Sequence, residues 1–261
     1  MKSPIQCVVL LILSGYLSGC SGVREDTGAA TATEPVASRT AVSASEPLLH
    51  QILENHQSIV TAANRQIVLA YSTTAEPDVV IIRTFEYQAG VWQAKYPQMT
   101  GSGGKNGFAP FDQKAEGDGR APTGIFDLVA AFGYHETAET RMPYRQATDQ
   151  DFWIDDSASE NYNQWLRLES GIRPGVSHER LRRDDHLYEY LIVIDYNSDP
   201  VVKNKGSAIF LHVERAPGIP TVGCIATSRD NMKALFKWLD PAKSPIIIMG
   251  TKRELTGLGQ L

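Results

Sequence analysis

The sequence predicts a mainly β chain with a few helices, an α+β composition in which strands dominate, and three observations point there. From Gln66 onward, short runs rich in β-branched and aromatic residues (QIVLAYS, DVVIIRTFEY, GVWQAKY) are separated by polar or glycine breaks. The same pattern returns in YEYLIVIDYN at 188–197, SAIFLHV at 207–213 and PIIIMG from 245. Helical spacing is confined to two stretches, one before the first strand run and one between the last two.

The chain opens on an export pattern. Lys2 supplies a small positive region, Val8 to Leu13 an apolar core too short to span a bilayer, and Leu17-Ser18-Gly19-Cys20 a small-residue processing site. The tetrad resembles the bacterial lipobox, in which cleavage precedes the cysteine and the thiol and new amino group are acylated. Residues 1–19 are therefore expected to be a signal peptide and Cys20 the lipidated first residue; an ordinary signal peptide cut elsewhere is the alternative, and both imply export. Ser21 stands where an aspartate is associated with inner-membrane retention, so the expected location is the periplasmic face of the envelope, on the outer membrane rather than the inner. After Leu13 no apolar run is long enough to cross a membrane, which leaves the lipid as the expected membrane contact.

Residues 20–46 are dominated by Ala, Ser, Thr and Glu and cannot bury a core, so they read as a flexible tether. The folded domain is expected over 47–261. It begins with Leu48, Leu49, Ile52, Leu53, His56, Ile59 and Val60 at helical spacing behind Ser45 and Pro47. His50 and His56 lie six apart, off metal-ligand spacing, and read as surface or packing residues.

Two glycine-bearing loops follow the first strands. GSGGKNGFAP invites a nucleotide reading that fails: Lys105 is followed by Asn106 rather than Ser or Thr, Met99 stands where a P-loop needs its first glycine, and Asn106 occupies a glycine position of the dinucleotide fingerprint. It reads as a tight connection between strands. KAEGDGRAPTGIFDL, at 114–128, reads as a charged surface loop entering a strand, and Glu116 and Asp118 lack the alternating ligands of a calcium loop. The polar stretch 143–183, with Trp153, Tyr162 and Trp165, reads as an excursion over the surface of the kind that covers a binding cleft.

The second helix is expected behind a capping box at Thr227 and Asp230, with Met232, Leu235, Phe236 and Leu239 as its buried stripe. Cys224 then lies between a strand and a helix start, where backbone N–H groups lower a thiol's pKa. Of three cysteines, Cys7 leaves with the signal and Cys20 is the lipid site, so Cys224 is the one thiol left in an oxidising compartment. A small buried hydrophobe is the bland explanation. The chemical one is a nucleophile: an imidazole within reach takes the thiol proton and returns it to a leaving amine, and His212, near a strand end before the Ala-Pro-Gly-Ile-Pro turn, is the candidate base. Gly223 would keep the approach of a substrate carbonyl open, with the N–H groups of Gly223 and Cys224 facing the developing oxyanion.

The formal charge of −5, or −6 without Lys2, and the lack of any basic cluster exclude a nucleic-acid partner. His135, His178, His186 and His212 show no ligand-type spacing, so neither metal nor other cofactor is expected.

FLHV, PTVGCIA, the following helix and PIII together resemble the catalytic end of the YkuD family of L,D-transpeptidases. Within it, the chain is similar to a branch marked by GxNGF, KxEGDGRxPxGxFxL, FG, YN, YxYxIxIDYN and GSAIFLH, and the likeness runs from about Gln66 to Ile248. The resemblance implies a mixed β-sheet sandwich with a helix or two, acting as a monomer on peptidoglycan stem peptides. Cys224 would attack the carbonyl of an L-centre residue, typically meso-diaminopimelate, expel D-alanine and form an acyl-enzyme that a second stem's amine resolves. It implies Cys224 as nucleophile, His212 as general base then acid, Gly223 in the oxyanion site, and Tyr162 and Asn163 of the YN motif at the substrate. The family's usual arginine after Cys-Ile is Ala226 here and the usual glycine after the histidine is Val213, so Arg120, Lys114 or Arg215 is left to meet a substrate carboxylate. A cysteine carboxypeptidase or amidase of wall peptides, and a noncatalytic wall-binding lipoprotein, are the competing functions.

Overall fold

The computed structural model describes residues 46–56, 63–73 and 78–257. The expected signal peptide, Cys20 and all of the tether but Glu46 lie outside the described residues, as do Ile59 and Val60 of the first helical stretch. Among the described residues no helix is long and apolar enough to cross a membrane.

The elements in chain order are α1 (Pro47–Asn55), β1 (Gln66–Ser72), β2 (Val79–Gln88), β3 (Val91–Ala94), β4 (Met99–Ser102), β5 (Gly124–Gly133), β6 (Tyr144–Gln146), β7 (Asp151–Ile154), β8 (Trp165–Arg167), β9 (His178–Arg180), β10 (Tyr190–Ile194), β11 (Phe210–Val213), β12 (Ile225–Thr227), α2 (Arg229–Trp238), β13 (Ile246–Thr251) and α3 (Lys252–Gly257). One mixed sheet runs β1-β13-β5-β10-β11-β12-β4-β2 and closes on itself, because β2 also pairs with β1; β3 extends β2 and β6 pairs with β5. The pairs β1–β13, β11–β12 and β5–β6 are parallel, among otherwise antiparallel neighbours. The expected mainly β fold with few helices is what forms.

Alternation along the strands explains their composition. Val68 and Ala70 of β1, Ile192 of β10, Leu211 of β11 and Met249 of β13 meet α2 in one core, while Ile67, Leu69, Phe85 and Ile248 meet α1 and α3 in a second. Phe132, Leu191, Val193, Phe210 and Cys224 form a third with Leu181 and Tyr188. The long strands are thus covered on both faces, which is why they read as continuous apolar runs rather than alternating ones.

Helix α2 uses the predicted stripe, burying Met232, Leu235 and Phe236. Its cap sits one residue later than expected. Ser228 accepts the Asn231 N–H at 3.2 Å, whereas Thr227 ends β12 and donates its hydroxyl to the Thr100 carbonyl at 2.8 Å. Asp230 in the first turn and Lys237 in the last suit the helix dipole.

The 143–183 stretch corrects the expectation of a surface excursion. It folds a three-stranded sheet, β8-β7-β9, and buries Phe152, Ile154, Tyr162 and Leu181 completely. Its anchor is Asp151, wholly buried, whose carboxylate takes Arg167 Nε at 2.9 Å and Nη2 at 2.8 Å, Trp165 Nε1 at 3.1 Å and the Thr148 hydroxyl at 2.7 Å. A buried carboxylate so fully satisfied fixes the register of this small sheet rather than weakening it.

Candidate active site

The geometry of the site begins with the β11–β12 pair. Leu211 lies opposite Ile225 and His212 opposite Ala226, in parallel register. One step back along the same register, Phe210 meets Cys224, and the Phe210 N–H donates to Cys224 Sγ at 3.4 Å. Because side chains alternate along strands, Cys224 and His212 share the face opposite Leu211 and Ile225, which point into the α2 core. Two residues of rise and one strand spacing put their Cα atoms about 8 Å apart, a diagonal that side chains can span.

Both side chains are held out of water and uncharged. Burial pushes the Cys224 thiol up to about 12, the Phe210 N–H pulling weakly the other way. Burial likewise drives His212 down to about 4. His212 Nδ1 lies 2.8 Å from the Val213 carbonyl oxygen, which can only accept, so Nδ1 carries the proton and Nε2 offers a lone pair. The Tyr188 ring packs on the imidazole at 5.2 Å and 74°, fixing its plane.

The expected helix-terminus activation of the thiol is corrected. All of β12 and the Ser228 cap separate Cys224 from α2, and the environment raises the thiol pKa instead of lowering it. Gly223 is also required for a different reason than expected. At φ +154 it approaches the main chain so closely that a Cβ would lie 2.9 Å from the Arg120 carbonyl oxygen. Its N–H donates to Thr221 Oγ1 at 3.1 Å, and the Thr221 hydroxyl donates to the Cys224 carbonyl at 2.6 Å. Thr221 thereby staples the turn that presents the cysteine. The turn is tied in turn to the glycine loop, with Thr221 N–H on the Gly103 carbonyl at 2.7 Å and Lys105 N–H on the Thr221 carbonyl at 2.9 Å. The glycines of GSGGKNG serve close backbone packing: a Cβ at Gly101 would fall 2.2 Å from the Ala226 carbonyl oxygen.

Cys224, His212 and Gly223 open onto one cavity of about 250 Å³. Ala226 lines it beside His212, and exposed Ile219 and Val222 form an apolar rim. The KAEGDGR loop is a wall of this cavity and not the free surface loop expected from its charge. Lys114 lines it but is buried, its ammonium spent on Asp118 Oδ1 at 2.7 Å and the Ala115 carbonyl at 2.6 Å. Arg120 is exposed and outside the lining; only its backbone reaches the site, against Gly223. Arg215 lines the rim, paired with Asp185 at 3.2 Å.

Tyr162 and Asn163 correct the expectation that they touch substrate, since both are buried behind the cavity wall. The Tyr162 hydroxyl donates to Glu116 Oε2 at 2.5 Å and accepts the Gly206 N–H at 3.0 Å, while every polar atom of the Asn163 amide is bonded within the protein. Burial and the Glu116 carboxylate raise the Tyr162 phenol to about 12, which keeps it a donor.

Several cavity residues escaped the sequence reading. Glu116 is held by Tyr162 and by the Ser207 hydroxyl at 2.7 Å. Glu179 accepts Arg183 Nη1 at 3.1 Å and the Tyr188 hydroxyl at 3.3 Å; burial raises its pKa and Arg183 partly offsets that. Arg183 is gripped by Asp185 at 2.9 and 2.7 Å, an ion pair that holds the aspartate near 2. The one available clue was RRDDHLYEY, a dense charge cluster directly before a central strand. Among the described residues no group of three or more His, Cys, Asp or Glu could hold a metal ion.

A family model described as the L,D-transpeptidase catalytic domain, YkuD, matches residues 78–248. Comparison with curated proteins finds no match. Among solved structures, the helical cell shape determining protein Pgp2 from Campylobacter jejuni is similar at 17% identity and a TM-score of 0.41, over 76% of this chain and 53% of that one. A mutant of the same protein gives 16% identity and the same TM-score, over 81% and 59%. The chain therefore spans little more than half the length of those structures.

Proposed function

The chain belongs to the YkuD family of L,D-transpeptidase catalytic domains, and from that premise we propose that it is a cysteine acyltransferase of peptidoglycan stem peptides with Cys224 as nucleophile and His212 as base. The observation that carries this reading is the shared face: the imidazole on β11 and the thiol just before its partner strand β12 line one cavity. Because both groups are neutral at rest, the reaction starts from a thiol and an imidazole, not from a preformed ion pair. As Sγ attacks the substrate carbonyl, its proton passes to His212 Nε2, and the thiolate that develops is stabilised by the Phe210 N–H. The tetrahedral oxyanion collapses, the C–N bond breaks, His212 returns the proton to the leaving amine, and a thioester remains on Cys224. An incoming amine gives its proton to His212, attacks the thioester, and releases Cys224 as thiolate, which takes the proton back.

Gly223 N–H serves the oxyanion in this scheme only after leaving Thr221 Oγ1. Lys114 and Arg215 line the cavity with counter-ions already in place, so a substrate carboxylate would have to displace Asp118 or Asp185 to reach them. The export pattern and Cys20 extend the proposal to a lipid-anchored enzyme on the periplasmic face of the outer membrane. Incubation with disaccharide tetrapeptides, with and without an amine acceptor, tests it: cross-linked or exchanged products support transfer, trimmed products alone assign the hydrolase alternative, and full activity in Cys224→Ser removes thiol catalysis.

A further inference from the structure

The hydrogen bonds of the resting thiol lead away from the base. Cys224 Sγ–H donates to the Ala208 carbonyl at 3.3 Å, and among the described residues no hydrogen bond joins Sγ to His212. Ala208 is a non-glycine residue in the left-handed region, at φ +53. Such a conformation costs energy and persists only where the surroundings over-determine it.

Asn163 is what over-determines it. Its Oδ1 accepts the Ala208 N–H at 3.0 Å and Trp153 Nε1–H at 2.9 Å, and its Nδ2 donates to the carbonyls of Tyr196 at 2.9 Å and Asn197 at 2.8 Å. Two donors on one side and two acceptors on the other leave a single orientation for the amide. Asn163 is itself left-handed, at φ +58, and 6% exposed, so the side chain is locked at both ends. Tyr162 next to it bonds Gly206 N–H, and Glu116 takes the Ser207 hydroxyl, so Gly206, Ser207 and Ala208 are each tied by a hydrogen bond, the first and last to buried partners.

We propose that Asn163 is a positioning residue for the nucleophile: by holding Ala208 left-handed it parks the Sγ–H of Cys224 on the Ala208 carbonyl, and the thiol stays unreactive until it turns to His212 Nε2. The functional meaning of this latch rests on the acyl-transfer reading. Its geometry does not, so it is tested without substrate.

The test uses the chain carrying Cys7→Ser and Cys20→Ser, in which Cys224 is the single thiol, and follows the S–H stretching band by Raman spectroscopy together with iodoacetamide alkylation across pH. In Asn163→Ala the band moves to the frequency of a weaker hydrogen bond, the rising limb of the alkylation profile shifts to lower pH, and the rate near pH 8 increases about fivefold, the equivalent of one lost hydrogen bond. A role confined to stability would lower the melting temperature and leave band and profile in place, and that result in a folded Asn163→Ala chain overturns the proposal. Should Asn163→Ala fail to fold, Ala208→Gly replaces it: glycine tolerates the left-handed backbone while loosening the carbonyl, so the same shifts are expected at about twofold, and an unchanged profile there overturns the proposal equally. A wild-type chain inert toward stem peptides but showing these shifts sinks the transferase reading and keeps the latch; an active chain without them does the reverse.

Discussion

Cys224 and His212 on one wall of the cavity are buried and neutral, whereas Arg183 and Arg215 on another wall are charged, partly in water and paired with Asp185 outside the lining. The first wall excludes solvent, so each group adopts the protonation state that carries no charge. The second keeps its charges because each has a partner at hydrogen-bond distance. With Cys224 and His212 as the proposed nucleophile and base, charge would be created during the reaction on the neutral wall, while the other wall keeps its shape through charges already in place. Substitutions on the two walls are therefore expected to differ in kind as well as in size.

The largest effect falls on the neutral wall. Cys224→Ser preserves the packing of the site and His212→Gln keeps a polar group of similar size; each is expected to lower the rate of acyl transfer by about a thousandfold or more, measured by chromatography of stem-peptide products. Loss in one variant but not the other would show that the two side chains do not act as a unit.

The next effect is on stability against pH. His212 titrates in the folded chain near 4, below its ordinary 6.5, so the folded state resists its protonation. Its contribution is complete above pH 6.5 and is lost as pH falls through 4, at a cost of about 3 kcal/mol by linkage. Cys224 has the opposite sign: raised from 9.0 to about 12, it contributes fully below pH 9 and its contribution is lost as pH rises toward 12. Denaturant unfolding of wild type and His212→Gln between pH 4 and 7 reads the His212 contribution as a difference in slope. Equal slopes would mean that the imidazole is wet and that the contrast between the walls is false.

How far these features were legible follows from what sequence displays. Strand runs and the α2 stripe are periodic and local, so Val68, Ile192 and Met249 fell where expected. Cys224 and His212 were legible as a candidate pair, because a thiol after Gly223 and a histidine near a strand end are unusual residues in marked places, and the structure brings both to one cavity. The error over the thiol's pKa came from β12, which at three residues is too short to register as a strand and so left Cys224 seemingly beside a helix start. Tyr162 and Asn163 were misplaced for a common reason: their partners Glu116, Gly206, Tyr196 and Ala208 lie far away in sequence, and a polar residue gives no local sign that it is destined for burial. Lys114 pairs locally with Asp118, but Gly206, distant in sequence, packs against its stem, and nothing local announces that cover. The 143–183 sheet was missed likewise, since Asp151 and Arg167, which hold it, read as surface charge.

A smaller effect probes the support behind the walls. Tyr162→Phe removes a donor to Glu116 and strands the buried Gly206 N–H. An unsatisfied buried group of this kind costs about 1–3 kcal/mol, to be read from the denaturation midpoint. The Ser207 hydroxyl still holds Glu116, so the carboxylate should stay in place and the loss should lie toward the lower end.

The smallest effect belongs to the charged wall itself. Arg215 is 57% exposed and meets Asp185 at 3.2 Å, while Asp185 keeps two shorter bonds from Arg183. Removing an exposed partner from a carboxylate that is already satisfied gives up only a screened Coulomb contact, about 0.5 kcal/mol or less. Arg215→Ala is therefore expected to leave the unfolding midpoint almost unchanged in low salt and indistinguishable from wild type in high salt. A loss well above about 1 kcal/mol that survives high salt would mean that Arg215 and Asp185 are shielded from solvent as Cys224 and His212 are, and the two walls would then share one electrostatic regime.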